Sequence, residues 1–153
     1  MNASSSPTAF ETFLTKLGEW FQPVLLLVIR LYWGWLFAQT GWGKLANLSR
    51  TAGYFDSLHL PFPLAAAGLA GAAECVGGVL FALGLFARFA SPVLVFIMAV
   101  AYLTAERAAL AGVLHAPEAF TGAAPFLFLF ATLVVFAFGP GTLSLDTWIR
   151  KKT

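Results

Sequence analysis

Four long apolar segments constrain the fold of this 153-residue chain more than any other feature of its sequence. They cover residues 23–41, 64–86, 89–106 and 123–138, and polar or Gly/Pro-marked connections separate them. A segment of about 20 apolar residues matches the roughly 30 Å hydrocarbon core of a bilayer. Charged residues make up only 10% of the chain, whereas a soluble domain carries about 25%. The sequence therefore predicts an all-α membrane protein, with four transmembrane helices packed as a bundle in the lipid bilayer.

The segments outside these spans predict two shorter helices. Residues 1–22 contain a capping box, Thr8-x-x-Glu11, followed by large apolar residues at helical spacing. This pattern favours an interfacial helix that ends in a bend at Pro23; a helical extension of the first span is the alternative. Residues 49–58 in the first long connection predict a short surface helix. Residues 142–153 form a basic tail, so the four-helix domain covers residues 23–141.

The distribution of lysine and arginine predicts the orientation. Five cations lie on the side of the termini: Lys16, Arg88, Arg150, Lys151 and Lys152. The two long connections carry three: Lys44, Arg50 and Arg107. Cytoplasmic segments of membrane proteins carry the excess of such residues, so we expect both termini in the cytoplasm. The N-terminal residues lack the basic start and the cleavage pattern of a signal peptide, so we expect the first span to act as an uncleaved anchor.

Two charges inside the spans mark a candidate site. Arg30 lies within the first span and Glu74 within the second. An arginine at mid-membrane costs about 3 kcal/mol or more, so a carboxylate at the same depth would compensate for it. We therefore expect Arg30 and Glu74 to pair. The pair either locks the two helices together or forms a site that binds a polar headgroup or moves a proton.

Helical spacing places further residues beside these two charges. Arg30, Gly34, Phe37, Gly41 and Lys44 share one face of the first span. On the second span, Gly68, Gly71, Glu74 and Gly78 form a groove of small residues, which allows close helix packing.

Three side chains near this face have two interpretations each. Trp33 either packs against other helices or forms a wall of a pocket for a flat, apolar ligand. Lys44 either reaches lipid phosphate or lines the mouth of that pocket. Glu106 with Arg107 is either a solvated pair or the acid–base lid of an outward-facing cavity.

Several classes of chemistry lack support in the sequence. The sequence contains no basic tract with interleaved aromatic residues, which is the pattern that would indicate nucleic-acid binding. His59 and His115 lie in connections, which is a poor basis for haem or a metal site. Cys75 is a lone cysteine, so no disulfide or CxxC pair forms within the chain. The sequence contains no nucleotide-binding glycine loop and no hydrolase triad pattern.

Five short motifs follow one another along the chain. They are Arg30-(x)3-Gly34-(x)6-Gly41-(x)2-Lys44, Leu60-Pro61-Phe62-Pro63, Gly68-(x)2-Gly71-(x)2-Glu74-(x)3-Gly78, Ala101-Tyr102-Leu103-Thr104 and Phe138-Gly139-Pro140-Gly141-(x)2-Ser144-Leu145-Asp146. As an ordered set, they resemble the DoxX-like family of small membrane proteins. The resemblance implies a four-helix protein of a bacterial-type inner membrane. Some members of that family are membrane subunits of thiosulfate:quinone oxidoreductase, and others are partners of redox proteins.

The resemblance also implies roles for the residues of the candidate site. In a quinone-linked oxidoreductase subunit, Arg30 and Glu74 would form the catalytic polar end, and Trp33 and Phe37 would hold the ring. Lys44 would bind an anion or headgroup at the mouth. Gly41, Gly71, Gly78 and Glu106 would complete the ligand-binding surface. The alternative is a non-catalytic scaffold that docks a partner redox protein or a second copy of the chain.

Overall fold

The computed structural model describes residues 8–152, and within that range every regular element is a helix. The helices are α1 (Ala9–Ala46), α2 (Leu48–Ser57), α3 (Pro63–Leu83), α4 (Ala87–Thr104), α5 (Arg107–Ala111), α6 (Pro117–Gly122), α7 (Pro125–Phe138) and α8 (Leu145–Arg150). The all-α prediction is confirmed. Residues 1–7 of the predicted N-terminal segment lie outside the described residues, as does residue 153 of the predicted tail.

Four helices form the bundle, and three of them are long and apolar enough to cross a membrane. These three are α1, α3 and α4. The fourth, α7, is apolar but has only 14 residues, which corresponds to about 21 Å of helix. It packs mainly against α4 and also contacts α1.

The first helix is continuous from Ala9 to Ala46. The capping box of Thr8 and Glu11 is present at its start, as predicted. Pro23 lies inside the helix, so the expected break before the first span does not occur, and residues 9–22 extend that span. A proline removes one backbone donor, but good helix formers on both sides continue the hydrogen-bonded ladder. The 38 residues correspond to about 57 Å of helix.

Glycines hold α1 and α3 together as antiparallel neighbours. A methyl group on Gly34 would come 2.7 Å from Gly78 O and from the Ala82 backbone. One on Gly41 would come 2.3 Å from Cys75 N. At such distances only glycine lets the two backbones touch, as in other small-residue contacts between membrane helices. The predicted groove of small residues is therefore a helix–helix contact.

The core of the bundle is built from the inner faces of all four helices. Its largest fully buried apolar side chains are Phe37, Phe81, Leu94 and Val135, one from each helix. The Phe37 ring meets Phe128 of α7 edge to face, with centroids 4.6 Å apart.

The predicted surface helix is present as α2, which lies against α3. Its contact with α3 closes one side of the bundle near Lys44.

Candidate functional site

Arg30 and Glu74 are both buried, but they do not pair. The Arg30 guanidinium donates through Nη2 to the Leu143 carbonyl and through Nε to the Leu26 carbonyl at 3.4 Å. Glu74 instead forms an ion pair with Lys44. The prediction of an Arg30–Glu74 pair is therefore wrong, and the partner of each charge comes from elsewhere.

The register of α1 against α3 explains this correction. Gly34 lies opposite Gly78 and Ala82, so Arg30, one turn earlier, reaches the level of Gly84. Glu74 is ten residues before Gly84, which is about 15 Å along α3. The prediction of a common depth assumed that the first span ends at residue 41. In the structure α1 continues to Ala46, and Gly41 meets the backbone of Gly71 and Cys75. Lys44, almost one turn further along α1, therefore reaches the Glu74 carboxylate.

Arg30 belongs to the end of the bundle where the C-terminal segment, residues 139–147, folds back. Its Nη1 occupies the notch that Gly84 leaves, since a methyl group on Gly84 would lie 1.6 Å from that atom. Among the described residues Nη1 has no hydrogen-bond partner. Asp146 fixes the same segment, because its carboxylate oxygens accept the N–H groups of Phe86 at 2.9 Å and Ala87 at 3.2 Å. Arg30 therefore anchors the chain end to the bundle.

The ion pair of Lys44 and Glu74 lies in a cavity of about 640 Å³, which we call the Lys44–Glu74 cavity. It is bounded by α1, α2, α3, α4 and the start of α7. Apolar side chains form most of its wall, among them Phe37, Phe55, Leu69, Phe96, Ile97 and Phe128. Its polar side chains include Thr40, Lys44, Glu74, Thr104 and Glu106. A mostly apolar cavity with a few converging polar groups is the usual form of a small-molecule site.

The two partners of the ion pair differ in exposure. The Glu74 side chain is 3% exposed, whereas that of Lys44 is 27% exposed. A carboxylate buried among apolar groups is costly unless a cation compensates for it. Lys44 supplies that cation and keeps part of its surface open. The arrangement places a hydrogen-bond donor, already oriented by Glu74, in the wall of a mostly apolar cavity.

The predicted site residues lie in four different places in the structure. Phe37, Lys44, Glu74 and Glu106 line the cavity together. Gly41, Gly71 and Gly78 lie in the α1–α3 contact, where added methyl groups would meet α1 or α3 atoms at 2.3–3.0 Å. Trp33 is half-buried against the hydrophobic core, as its packing interpretation predicts. Arg30 lies at the other end of the bundle.

Sequence reasoning missed the contribution of α4 and α7 to this cavity. Val93, Ile97, Val100 and Thr104 recur at helical spacing on α4 and line the wall. That periodicity marks a face, but nothing in the sequence indicates which helix the face meets. Phe128 of α7 lies in a segment with several phenylalanines, and nothing in the sequence marks it as the one that lines a cavity. Phe55 of α2 and Leu58, which directly follows that helix, also line the cavity.

The described residues offer no evident metal site. Between residues 8 and 152, no group of three or more histidine, cysteine, aspartate or glutamate side chains is placed to hold a metal ion. The polar groups that the cavity offers a ligand include the Lys44 ammonium, the carboxylates of Glu74 and Glu106, and the hydroxyls of Thr40 and Thr104.

One comparison with known proteins gives a match. The family model described as DoxX matches residues 25–107, more than half of the chain. No curated protein and no solved structure matches the chain. The matched residues include both partners of the ion pair, together with Arg30 and Glu106.

Proposed function

The chain belongs to the DoxX family, and from that premise we propose that it is a quinone-binding subunit of a membrane oxidoreductase. The ring of the quinone would occupy the Lys44–Glu74 cavity. The observation that carries the proposal is the cavity itself, because its walls are mostly apolar and the Lys44–Glu74 ion pair lines it.

The residues of the cavity fit such a ligand. A quinone ring is flat and apolar, with a carbonyl oxygen at each end. Ligand pockets usually enclose roughly 300–1,000 Å³, and this cavity encloses about 640 Å³. Phe37, Phe96 and Phe128 offer aromatic surfaces for the ring, and the partly exposed Lys44 offers an N–H donor for a carbonyl oxygen. A bound quinone would supply two-electron, two-proton acceptor chemistry.

The polar side chains of the cavity would orient the ligand and supply protons. Glu74 holds the Lys44 ammonium in place through their ion pair. Because Lys44 is already ordered, its hydrogen bond to the ligand would cost little further side-chain entropy on binding. Glu106, half-buried at the end of α4 beside Thr104, is the wall residue best placed to exchange protons between water and the cavity.

The orientation of the chain forms part of the same proposal. Arg88 and Arg150 lie at the same end of the bundle as Glu19 of α1, where they line a common cavity. By the excess of cations on that side, this end faces the cytoplasm of a bacterial-type inner membrane, and both termini lie there. The Lys44–Glu74 cavity then opens in the outer half of the membrane.

Equilibrium binding of decyl-ubiquinone to the purified protein in phosphatidylcholine nanodiscs tests the proposal. Two adjacent alanines of α3 give a matched pair of variants. Ala73 lines the cavity, whereas Ala72 is exposed outside its wall. We expect the wild type and Ala72→Phe to bind alike, and Ala73→Phe to bind at least roughly tenfold more weakly, because its ring fills the pocket.

Two results would contradict the proposal. One is a folded wild type that binds no decyl-ubiquinone or menadione. The other is a folded Ala73→Phe variant that binds as the wild type does. Co-purification of a stoichiometric redox protein with a chain that binds neither quinone would support the scaffold role instead.

A further inference from the structure

A second cavity, of about 620 Å³, lies at the opposite end of the bundle. Its walls come from α1 near Pro23, the turn between α3 and α4, the C-terminal segment and α8. The quinone proposal makes no use of it. We call it the terminal cavity.

Two arginines line the terminal cavity without an acidic partner. Within residues 8–152 the only ion pair joins Lys44 and Glu74, so the guanidinium groups of Arg88 and Arg150 are not neutralised by a neighbour. The Arg88 guanidinium lies close to Gly139, another residue of the wall, because a methyl group on Gly139 would come 3.8 Å from Arg88 Nη2. Both arginines are exposed, and their donors are therefore accessible to a ligand.

The two acidic residues of the wall do not cancel this charge. Asp146 directs both carboxylate oxygens to the backbone N–H groups of Phe86 and Ala87, and the buried Arg30 acts on it electrostatically. Glu19 is then the one remaining carboxylate of the wall, against two arginines. The terminal cavity therefore carries a net positive charge toward a ligand.

Large apolar rings surround these charges. Phe86, Phe89 and Phe138 line the cavity and are 59%, 77% and 68% exposed. Phe86 and Phe89 flank Arg88 in sequence, and Phe138 ends α7. Cations next to exposed apolar surface at the end of membrane helices fit an amphiphile, with a negative head and hydrocarbon chains, better than a free ion.

We propose that the terminal cavity binds an anionic phospholipid. Arg88 and Arg150 would hold its phosphate, and Phe86, Phe89 and Phe138 would contact its acyl chains. Arginine suits this role because its planar fork donates two parallel hydrogen bonds to phosphate oxygens. Basic pockets between membrane helices bind anionic headgroups in the same manner. The inference stands apart from the quinone proposal, since it concerns the other end of the bundle.

Retention of phosphatidylglycerol tests this proposal. The full chain is purified from nanodiscs that contain equal amounts of phosphatidylglycerol and phosphatidylcholine, and bound lipid is counted by native mass spectrometry. The test variant is Arg88→Gln/Arg150→Gln. The control is Arg50→Gln/Arg107→Gln, which removes the same charge from exposed arginines outside this cavity.

We expect the wild type and the control to retain phosphatidylglycerol over phosphatidylcholine by roughly tenfold, and the test variant to lose that preference. Equal preference in the test variant and the wild type would overturn the proposal. So would displacement of the lipid by millimolar inorganic phosphate, which would indicate a site for a free anion. Arg88→Lys/Arg150→Lys, which keeps the charge, checks folding and should retain part of the preference; its complete loss in a folded protein would contradict an electrostatic site.

Discussion

At the scale of single residues, Arg30 and Gly84 are fitted to each other. Arg30 is fully buried in α1, and its Nη1 lies where a side chain at position 84 would begin. Gly84 also adopts φ +63° at the end of α3, a conformation that is unfavourable for residues with a Cβ. Both features require glycine at this position, and together they let the guanidinium reach the Leu143 carbonyl.

Replacement of Gly84 by alanine should destabilise the protein by more than about 2 kcal/mol, because the new methyl group adds backbone strain to a collision with Arg30. The measurement is the free energy of unfolding by SDS titration in mixed micelles. Gly53→Ala is the control, because nothing lies within 4 Å of its added methyl group. It should be neutral or stabilising by up to about 1 kcal/mol. Equal stability of the two variants would contradict this account of Arg30.

The Lys44–Glu74 ion pair should couple the effects of substitutions at these two residues on stability. Lys44→Met leaves a carboxylate that is almost fully buried without its cation, and should cost about 1–3 kcal/mol. Glu74→Gln should cost less, because Lys44 is partly exposed and can turn toward water. The double variant Lys44→Met/Glu74→Gln should be more stable than Lys44→Met alone, because it leaves no buried charge without a partner. Unfolding free energies of the four proteins check this order, and strictly additive effects would refute the coupling.

At the scale of the helices, the α1–α3 contact depends on the position of its glycines. Gly41 meets the Cys75 backbone, whereas Gly43, two residues further along the same helix, has open space around it. A methyl group at position 41 forces the helices apart, since no flexible side chain can move aside.

We therefore expect Gly41→Ala to lower the yield of folded protein strongly and Gly43→Ala to leave it unchanged. Fluorescence-detected size-exclusion chromatography of the two variants, expressed side by side, measures that yield. A monodisperse Gly41→Ala protein with wild-type stability would show that α1 and α3 tolerate a wider separation.

The faces of these helices could be predicted from the sequence, but their register could not. The predicted face of α1 is the buried one, with Arg30, Gly34, Phe37 and Gly41 all inaccessible. Which of these residues meets Glu74 depends on how far α1 slides along α3. That offset is set by backbone contacts between glycines and by the true end of α1, neither of which has a signature in hydropathy.

At the scale of the whole molecule, the all-α membrane fold followed from the apolar segments alone. The link from Asp146 to the start of α4 joins residues 60 positions apart, and the cavities lie between helices that are distant in sequence. Such juxtapositions arise from packing. The sequence therefore indicated Phe37, Lys44, Glu74 and Glu106 as site residues. It did not show that Glu74 pairs with Lys44 and not with Arg30.

The proposed orientation makes a prediction about the whole chain. In a Cys75→Ser background, a cysteine introduced at His115, which is exposed in the second long connection, should react with a membrane-impermeant maleimide in intact cells. A cysteine introduced at Lys151, in the tail, should react only after the cells are broken. The reverse pattern would show that the cation excess does not set the topology here.

Photolabelling with an azido-quinone tests whether a quinone ring occupies the Lys44–Glu74 cavity. Membranes containing the protein are irradiated with the probe, and the labelled peptides are mapped by mass spectrometry. We expect label within residues 93–106, in and directly after α4, and within residues 66–74 of α3; it should be lost in Ala73→Phe and kept in Ala72→Phe. Label confined to the terminal cavity, or label in α3 and α4 that Ala73→Phe does not change, would contradict the proposal.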